Sequence, residues 1–363
     1  MNDFDLLTNK ADLYQSRWAP SPDVRAPENG VLVEIERFAL TANNFTYAKL
    51  GDAFGYWRYF PAPEGFGRVP VWGVGRVIES HADGVAEGER VYGFLPISTR
   101  CVLTPALRGK LGFVDGAAHR TDLPPAYKEY RLIDREAIFE SRDENAYLAL
   151  RPVFILGFFL AEWLAEQSFF GCHRIIVSSA SSKAAAALVH QLGRRVETVG
   201  LTAERNLAAV ASMGLFDKAV AYSQIAGTRG SNRGPAVFVD IAGDSEIADL
   251  VQRTLGAALV QTIGVGAVRS DPAQFRSLAD ANAMSSKLFF APAHIPRLRA
   301  LWGAALLRER LAQSWTQFLS VMRETLTFEN HSGRAGISRA YDHVARGSLP
   351  GDVITILSAP NLD

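Results

Sequence analysis

From Gly30 to Glu36 the string GVLVEIE sets Val31, Val33 and Ile35 against Glu34 and Glu36. A period of two puts the first three on one face, which predicts a half-buried strand. The runs Val69 to Glu79 and Glu89 to Phe94 are rich in β-branched or aromatic residues. Gly73, Gly75, Gly84, Gly88 and Gly93 punctuate them, so they predict short strands joined by tight turns in a small, barrel-like β domain. Residues 104 to 150 carry Pro105, Pro124 and Pro125 and hold no sustained period. They read as a long excursion with one short helix from Asp134 to Glu140. The most apolar run, Val153 to Leu164, is interrupted by Gly157 and Glu162 and is far shorter than the roughly 20 residues of a membrane span. It predicts a buried helix.

Beyond residue 171 the texture changes. Apolar runs RIIVSS, VETVGL, KAVAY, AVFVDIA and ALVQTIGVG alternate with segments of helical composition, Lys183 to Leu192 and Ala203 to Met213 among them. Continuous apolar runs such as Ile175 to Val177 and Val237 to Ile241 suit strands covered on both faces, so the alternation predicts a doubly wound parallel sheet and an α/β class. After Tyr222 the string SQIAGTRGSNRG is Gly-rich and polar, which reads as loop. Residues 292 to 326 predict one or two amphipathic helices. The chain closes with a helix around Ser338 to Arg346, a Gly347 stop and a strand DVITIL.

Composition narrows the function. A length of 363 residues favours two domains. The 38 basic residues balance the 38 acidic ones, which removes the electrostatic footprint of a nucleic-acid or anionic-membrane binder and favours a small-molecule partner. Cys101 and Cys172 are the only cysteines and lie far apart, so they form neither a disulfide framework nor a thiolate zinc site. The acidic start MNDFDLLTNKADLYQ does not read as a signal peptide, and the expected location is the cytoplasm.

Several strings, taken in order, resemble the medium-chain dehydrogenase/reductase superfamily, in particular its zinc-free quinone and enone reductase branch. VLVEIERFALTANNFTYAKLGD is similar to that family's first-domain opening, where Asn44, Phe45 and Tyr47 would occupy positions near the nicotinamide. EGERVYGF resembles its Gly-Asp-Arg-Val-x-Gly turn, ALRPVFILGFFLAEWLAEQ its linking helix, and AYDHVARGSLPGDVITIL its closing helix and strand. The resemblance covers most of the chain. It implies a GroES-like β-rich substrate domain over residues 1–150, completed by 335–363, and a Rossmann dinucleotide domain over 151–334 with a helical insertion near its end. It also implies a homodimer formed through the nucleotide-domain sheet.

The departures are informative. Catalytic zinc takes three protein ligands and keeps one open position. The stretch that would carry Gly-His-Glu reads VPVWGVGRV, and Trp72 cannot coordinate a metal. His81, His119, His173, His190, His294, His331 and His343 have no metal-ligand spacing, so no metal is expected. The dinucleotide loop, where a Rossmann fingerprint places glycines, reads SSASSKAAA from Ser178 to Ala186. Ser181, Ser182 and Lys183 could form a serine-lysine phosphate cradle; the same residues also suit an N-cap before an alanine-rich helix. At the end of the second strand, Leu201 and Thr202 stand where an NAD-binding acid would be. Thr202 and Arg205 could take a 2′-phosphate, and Tyr222 matches a tyrosine that zinc-free members place beside it, so NADPH is favoured over NADH. Arg205 equally suits a solvated helix face, and Glu204 weighs against the phosphate. Gly243, Gly264 and Gly266 follow the fourth and fifth strands, whose carboxyl ends border the ligand crevice of an open parallel sheet.

Hydride chemistry belongs to the cofactor, while the protein orients, excludes water and supplies a donor for the developing oxyanion. Between Tyr47 and Trp72 the chain is aromatic: Phe54, Tyr56, Trp57, Tyr59, Phe60 and Phe66. The cluster could stack on a flat quinone or enone with Tyr47 or Tyr56 as hydrogen-bond donor; a structural lid or dimer contact would look the same. Asn44 could orient substrate or cap local backbone. The expectation is an NADPH-dependent, zinc-independent reductase. The alternative is a non-catalytic NADP(H)-binding or sensing protein that keeps the fold.

Overall fold

The structure is a computed structural model, and it describes residues 4–21, 23–136, 138–228, 234–265, 286–348 and 351–359. The chain divides into two compact units, Met1–Arg151 with Leu326–Asp363, and Pro152–Thr325.

In the first unit β1 (Phe4–Asn9) pairs with β2 (Ser16–Pro20) and with the short β4 (Phe66–Gly67) in a three-stranded sheet. A nine-stranded sheet is built on β3 (Val31–Leu40), β5 (Pro70–Ser80) and β6 (Arg90–Pro96), which pair antiparallel in that order. Val31, Val33 and Ile35 are buried together, which is what the period-two pattern requires. Gly73 and Gly75 lie where a Cβ would come within 3 Å of the β3 backbone, so only glycine lets β5 approach there. β7 (Arg100–Leu103) pairs with β3.

Residues 104–150 depart from expectation. They form three strands, β8 (Pro105–Gly109), β9 (Gly112–Asp115) and β10 (Glu129–Leu132), that extend the sheet beyond β6. Among the described residues of 134–140, in place of the expected helix there is a single 3₁₀ turn, Ile133–Arg135. The strands are too short for an alternating pattern to show, and Pro105 stands at the first residue of one, where a missing N–H is tolerated.

Helix α1 (Ala42–Lys49) follows β3, and α2 (Glu144–Glu166) begins in the first unit and ends in the second. The α2 helix is longer than the apolar run Val153 to Leu164 suggests. With the turn before it, it is long and apolar enough by composition to cross a membrane, and 56% of its apolar window is buried within the protein. Its first turn is tied down by charge: Glu144 takes Arg37 at 3.1 Å and Arg90 at 2.7 Å.

The second unit is a six-stranded parallel sheet: β11 (Arg174–Val177), β12 (Glu197–Thr202), β13 (Lys218–Ala221), β14 (Ala236–Asp240), β15 (Leu259–Gly264) and β16 (Ser286–Leu288), in the order β13-β12-β11-β14-β15-β16. Every residue of β11 and β14 is buried, as continuous apolar runs require. Helix α3 (Lys183–Leu192) approaches α2 closely at Gly157, where a Cβ would lie 2.7 Å from the backbone of Ala187. The predicted helix at Ala203–Met213 is a 3₁₀ turn, Glu204–Asn206, followed by α4 (Leu207–Ser212). The residues after Tyr222 that read as loop continue as a 3₁₀ helix to Thr228. Then come α5 (Ser245–Leu255) and the helical stretch α6 (Ile295–Thr325), interrupted at Gly303. Phe154 of α2 packs its ring 5.2 Å from Trp315 and 5.7 Å from Phe318 of α6.

The chain returns to the first unit with β17 (Thr327–His331), α7 (Gly333–Arg346) and β18 (Val353–Ser358), and β18 pairs with β3. Gly347 ends α7 in the left-handed region, as the sequence anticipates.

Between α2 and β11, Ser168, Phe169 and Phe170 all have positive φ, followed by Gly171. Left-handed backbone costs an L-residue roughly 1–2 kcal/mol. Ser168 is exposed, so Ser168→Gly is expected to stabilise the protein by about 1 kcal/mol, read as a higher denaturation midpoint at unchanged slope. No change in midpoint would mean that the serine is unstrained.

Candidate functional site

In the second unit the chain places β12 and β13 on one side of β11 and β14 to β16 on the other. A crevice opens at the carboxyl ends of strands where the order reverses in this way, between β11 and β14. A buried polar knot lies at that point. Ser178 Oγ donates to Asp240 Oδ1 at 2.7 Å and accepts the amides of Ile241 and Ala242, each at 2.9 Å. Gly243 N–H donates to the same carboxylate oxygen at 3.1 Å. Burial pushes the Asp240 carboxyl above its ordinary range, against the opposing hydrogen bonds.

The loop after β11 does without glycine. Ser179 takes the left-handed conformation, φ +53°, and its amide donates to Tyr222 Oη at 2.8 Å. The Ala180 amide bonds the Leu201 carbonyl at 2.9 Å, and Ala180 is wholly buried. A Cβ on Gly200 would lie 2.8 Å from that of Ala180, so the glycine enabling the close approach stands on the neighbouring strand. Ser182 N–H closes the turn onto Ser179 O, and Ser182 Oγ accepts the Ala185 amide at 3.1 Å as the N-cap of α3. Ser181 Oγ accepts from Asn206 Nδ2 at 3.2 Å.

The predicted cofactor residues distribute accordingly. Ser181, Ser182 and Lys183 open α3, and Tyr222 reaches the loop through Ser179. Thr202 is buried at the end of β12, and Arg205 is exposed one turn on. Glu204 is engaged by Ser223 Oγ at 3.0 Å. Gly243 belongs to the Asp240 knot, and Gly264 ends β15; Gly266 lies outside the described residues. Ser181, Lys183, Tyr222 and the amide end of α3 have the chemistry to hold a phosphate. Asp240 and Asn206 escape sequence reading because their partners lie 62 and 25 residues away.

In the first unit the residues after β3 build a second cluster. Thr41 caps α1, and Asn44 Oδ1 accepts from the Thr41 amide at 2.7 Å while Asn44 Nδ2 donates to Pro70 O at 2.9 Å. Both ends of this buried amide are spent on backbone. Asn43, four residues before Tyr47 and so on the same helix face, donates Nδ2 to Tyr47 Oη at 2.7 Å. Trp72 Nε1 donates to the same oxygen at 3.2 Å.

Tyr47 therefore receives two N–H donors that cannot accept in return, so its own proton is the one it donates, here toward Tyr127. Tyr56 packs against it with ring centroids 4.8 Å apart, and Tyr56 Oη donates to Tyr127 Oη at 3.1 Å. Tyr127 comes from the 3₁₀ turn Pro125–Tyr127 of the 104–150 excursion. Burial raises the hydroxyls of Tyr47, Tyr56 and Tyr127 well above the usual phenol range, so all three stay protonated at neutral pH. Tyr59 Oη donates to Pro124 O at 3.2 Å, fastening the cluster to that turn.

Among the described residues no group of three or more His, Cys, Asp or Glu side chains is placed to hold a metal ion. Burial pushes the Cys101 thiol up to about 12, which keeps it from acting as a thiolate.

A family profile described as "Protein of unknown function (DUF2855)" matches residues 38–350. No curated protein matches the chain. Among solved structures, CurA from Vibrio vulnificus in complex with NADPH aligns over 98% of this chain and 99% of its own, with TM-score 0.60 and 10% identity. The yhdH oxidoreductase from Salmonella enterica in complex with NADP aligns over 98% and 99%, with TM-score 0.53 and 13% identity. The quinone oxidoreductase from Coxiella burnetii aligns over 98% and 99%, with TM-score 0.52 and 12% identity. The β-rich first unit and the parallel-sheet second unit thus share the α/β fold of these oxidoreductases, and the chain belongs to the DUF2855 family.

Proposed function

We propose that the protein is an NADPH-dependent reductase that passes hydride to a small, flat, carbonyl-conjugated acceptor, a quinone or enone. The observation that carries this reading is Tyr47, whose hydroxyl accepts two N–H bonds and is left with a proton to donate. CurA and the yhdH oxidoreductase, bound to NADPH and NADP in their own structures, support the choice of nucleotide.

The second unit serves as the dinucleotide domain and the first as the substrate domain. Ser181, Ser182 and Lys183 hold the pyrophosphate at the N-terminus of α3, where helix dipole and lysine charge both favour an anion. Thr202, Arg205 and Tyr222 receive the 2′-phosphate, with no carboxylate ending β12 to repel it. Gly243 and Gly264 let the cofactor approach the ends of β14 and β15. The reduced nicotinamide supplies the hydride. Adding it to the acceptor drives an electron pair onto the acceptor's oxygen, which Tyr47 and Tyr56 stabilise by hydrogen bonds; Asn44 holds α1 in place. Because burial keeps those phenols protonated, the proton completing the product comes from water. Balanced charge and two buried free cysteines suit a cytoplasmic enzyme, and we infer a homodimer, which light scattering tests.

The test is titration with NADPH and NADH, followed by nicotinamide fluorescence and thermal shift. NADPH is expected to bind at least about tenfold more tightly than NADH, and Lys183→Ala and Arg205→Ala each to weaken it about tenfold, roughly one charge-assisted contact. Failure of both nucleotides to bind would overturn the reading. A sensing protein is the second reading, favoured by a loop that spends the amides of Ser178, Ser179, Ala180 and Ser182 within the chain. NADPH binding without oxidation by any quinone or enone would select it.

A further inference from the structure

Tyr127 is surrounded as a ligand would be. Its ring centroid lies 5.0 Å from Phe94, 5.3 Å from Tyr56, 5.8 Å from Tyr47, 5.9 Å from Tyr59 and 6.1 Å from Trp72. Its hydroxyl oxygen is the meeting point of two hydroxyls: Tyr56 Oη donates to it at 3.1 Å, and Tyr47 hydrogen-bonds it as well. Asn43 and Trp72 occupy the lone pairs of Tyr47, so the proton of Tyr47 is committed toward that oxygen. A phenol ring with its oxygen in a two-donor site is what a bound ring carbonyl would present, and a carbonyl, having no proton, would take both donors.

The surroundings allow the ring to leave. Tyr127 is half-buried, as is Trp72, whereas Tyr47, Tyr56 and Tyr59 are buried, so among the tyrosines of the cluster it is the one with a solvent side. Its backbone is held: the turn runs through Pro124 and Pro125, and the neighbouring Lys128 Nζ is fixed to Arg120 O at 2.9 Å and Thr121 O at 3.1 Å. Displacing the ring therefore asks for a rotation of the side chain alone.

We propose that the Tyr127 side chain occupies the acceptor's own subsite, and that the substrate is an oxo- or hydroxy-substituted six-membered ring that displaces it and sets its oxygen between Tyr47 and Tyr56. The inference rests on the reductase reading for its use of the site, but the ring subsite itself is tested without the cofactor.

The experiment uses the full-length Tyr127→Ala protein with p-cresol and toluene as probes, read by thermal shift. p-Cresol is expected to raise the melting temperature of Tyr127→Ala by several degrees and that of the wild type by none, with toluene giving less than half the shift. Adding Tyr47→Phe and Tyr56→Phe is expected to abolish the preference for p-cresol. Equal shifts from the two probes, or a preference that survives without both hydroxyls, would overturn the proposal. Should Tyr127→Ala fail to fold, Tyr127→Phe keeps the ring and removes the oxygen. It is expected to lower the melting temperature by several degrees, while Tyr14→Phe on the surface leaves it unchanged; no drop would overturn the proposal. With NADPH present, Tyr127→Ala is expected to raise kcat/KM for a naphthoquinone about tenfold at unchanged NADPH affinity, and a fall would count against displacement. A p-cresol preference without turnover would leave the ring subsite standing and fell only the reductase reading.

Discussion

Tyr47→Phe is expected to lower kcat for quinone or enone reduction by about 10²–10³-fold, the cost typical of losing one preorganised donor to a developing oxyanion. NADPH affinity is expected to stay within about twofold, because the loss falls on the transition state and leaves nucleotide binding alone. The substitution also orphans Asn43 Nδ2 and Trp72 Nε1, both aimed at the missing oxygen. A fully buried unsatisfied donor costs roughly 1–3 kcal/mol and these half-buried ones cost less, so stability falls somewhat, and rates are to be compared well below the melting transition. Trp72→Phe separates the two effects: it keeps an aromatic ring on Tyr92, 5.7 Å away, and removes only the N–H that orients Tyr47. Its expected loss in kcat is about tenfold, and it should vanish in the Tyr47→Phe background, since a group acting through Tyr47 has nothing left to orient. The pH dependence has a definite sign. Burial holds the Tyr47 phenol above its usual value of about 10, so no alkaline loss of rate from its ionisation is expected up to that pH. A rate that falls with a midpoint near 9, or a Tyr47→Phe enzyme with unchanged kcat, would remove Tyr47 from the chemistry.

How much of this was legible depended on the range over which each signal acts. The strands around Val33 and Val237 were readable because burial on one or two faces writes a pattern into neighbouring residues. The Gly347 stop was readable because the left-handed end of α7 needs a particular residue. Residues 104–150 were not, since three short strands and single 3₁₀ turns leave no period, and what orders them is contact with distant chain. Within the site, Tyr47 and Tyr56 stood out as aromatic residues close in sequence, whereas Tyr127 pairs with Tyr56 across 71 positions and Trp72 with Tyr47 across 25. Trp72 was noticed only for what it could not do, bind a metal; its N–H role appears once β5 is set beside α1. The glycine-free loop shows the same limit. The missing glycine is supplied by Gly200 on the next strand and by a left-handed Ser179, neither of which a fingerprint search within the loop would find.

The largest effect on stability is expected from Arg120→Ala. Arg120 is 3% exposed and pairs with Asp115, which is fully buried. Its Nε donates to Tyr59 O at 2.8 Å, and its guanidinium lies 4.7 Å from the Phe60 ring centroid. Asp115 Oδ1 also accepts the Thr104 amide at 2.7 Å, so the pair ties the start of the excursion to the segment that leads into Tyr127. Removing one partner leaves the other as an uncompensated buried charge, which costs about 3–5 kcal/mol. For a unit of this size that corresponds to a fall in melting temperature on the order of 10 °C. Arg120→Lys is expected to recover little, because an ammonium cannot reach the carboxylate and the Tyr59 carbonyl in the planar geometry of a guanidinium. Asp115→Leu with Arg120→Met is expected to be milder than either single loss, since no charge is then stranded. The nearby Arg58–Asp122 pair is the control: both side chains are more than half exposed, at 52% and 67%. Solvent and salt screen such a pair, and Arg58→Ala is expected to leave the melting temperature where it was. If Arg120→Ala melted with Arg58→Ala, the buried pair would not be what anchors the turn, and the position of Tyr127 would need another cause.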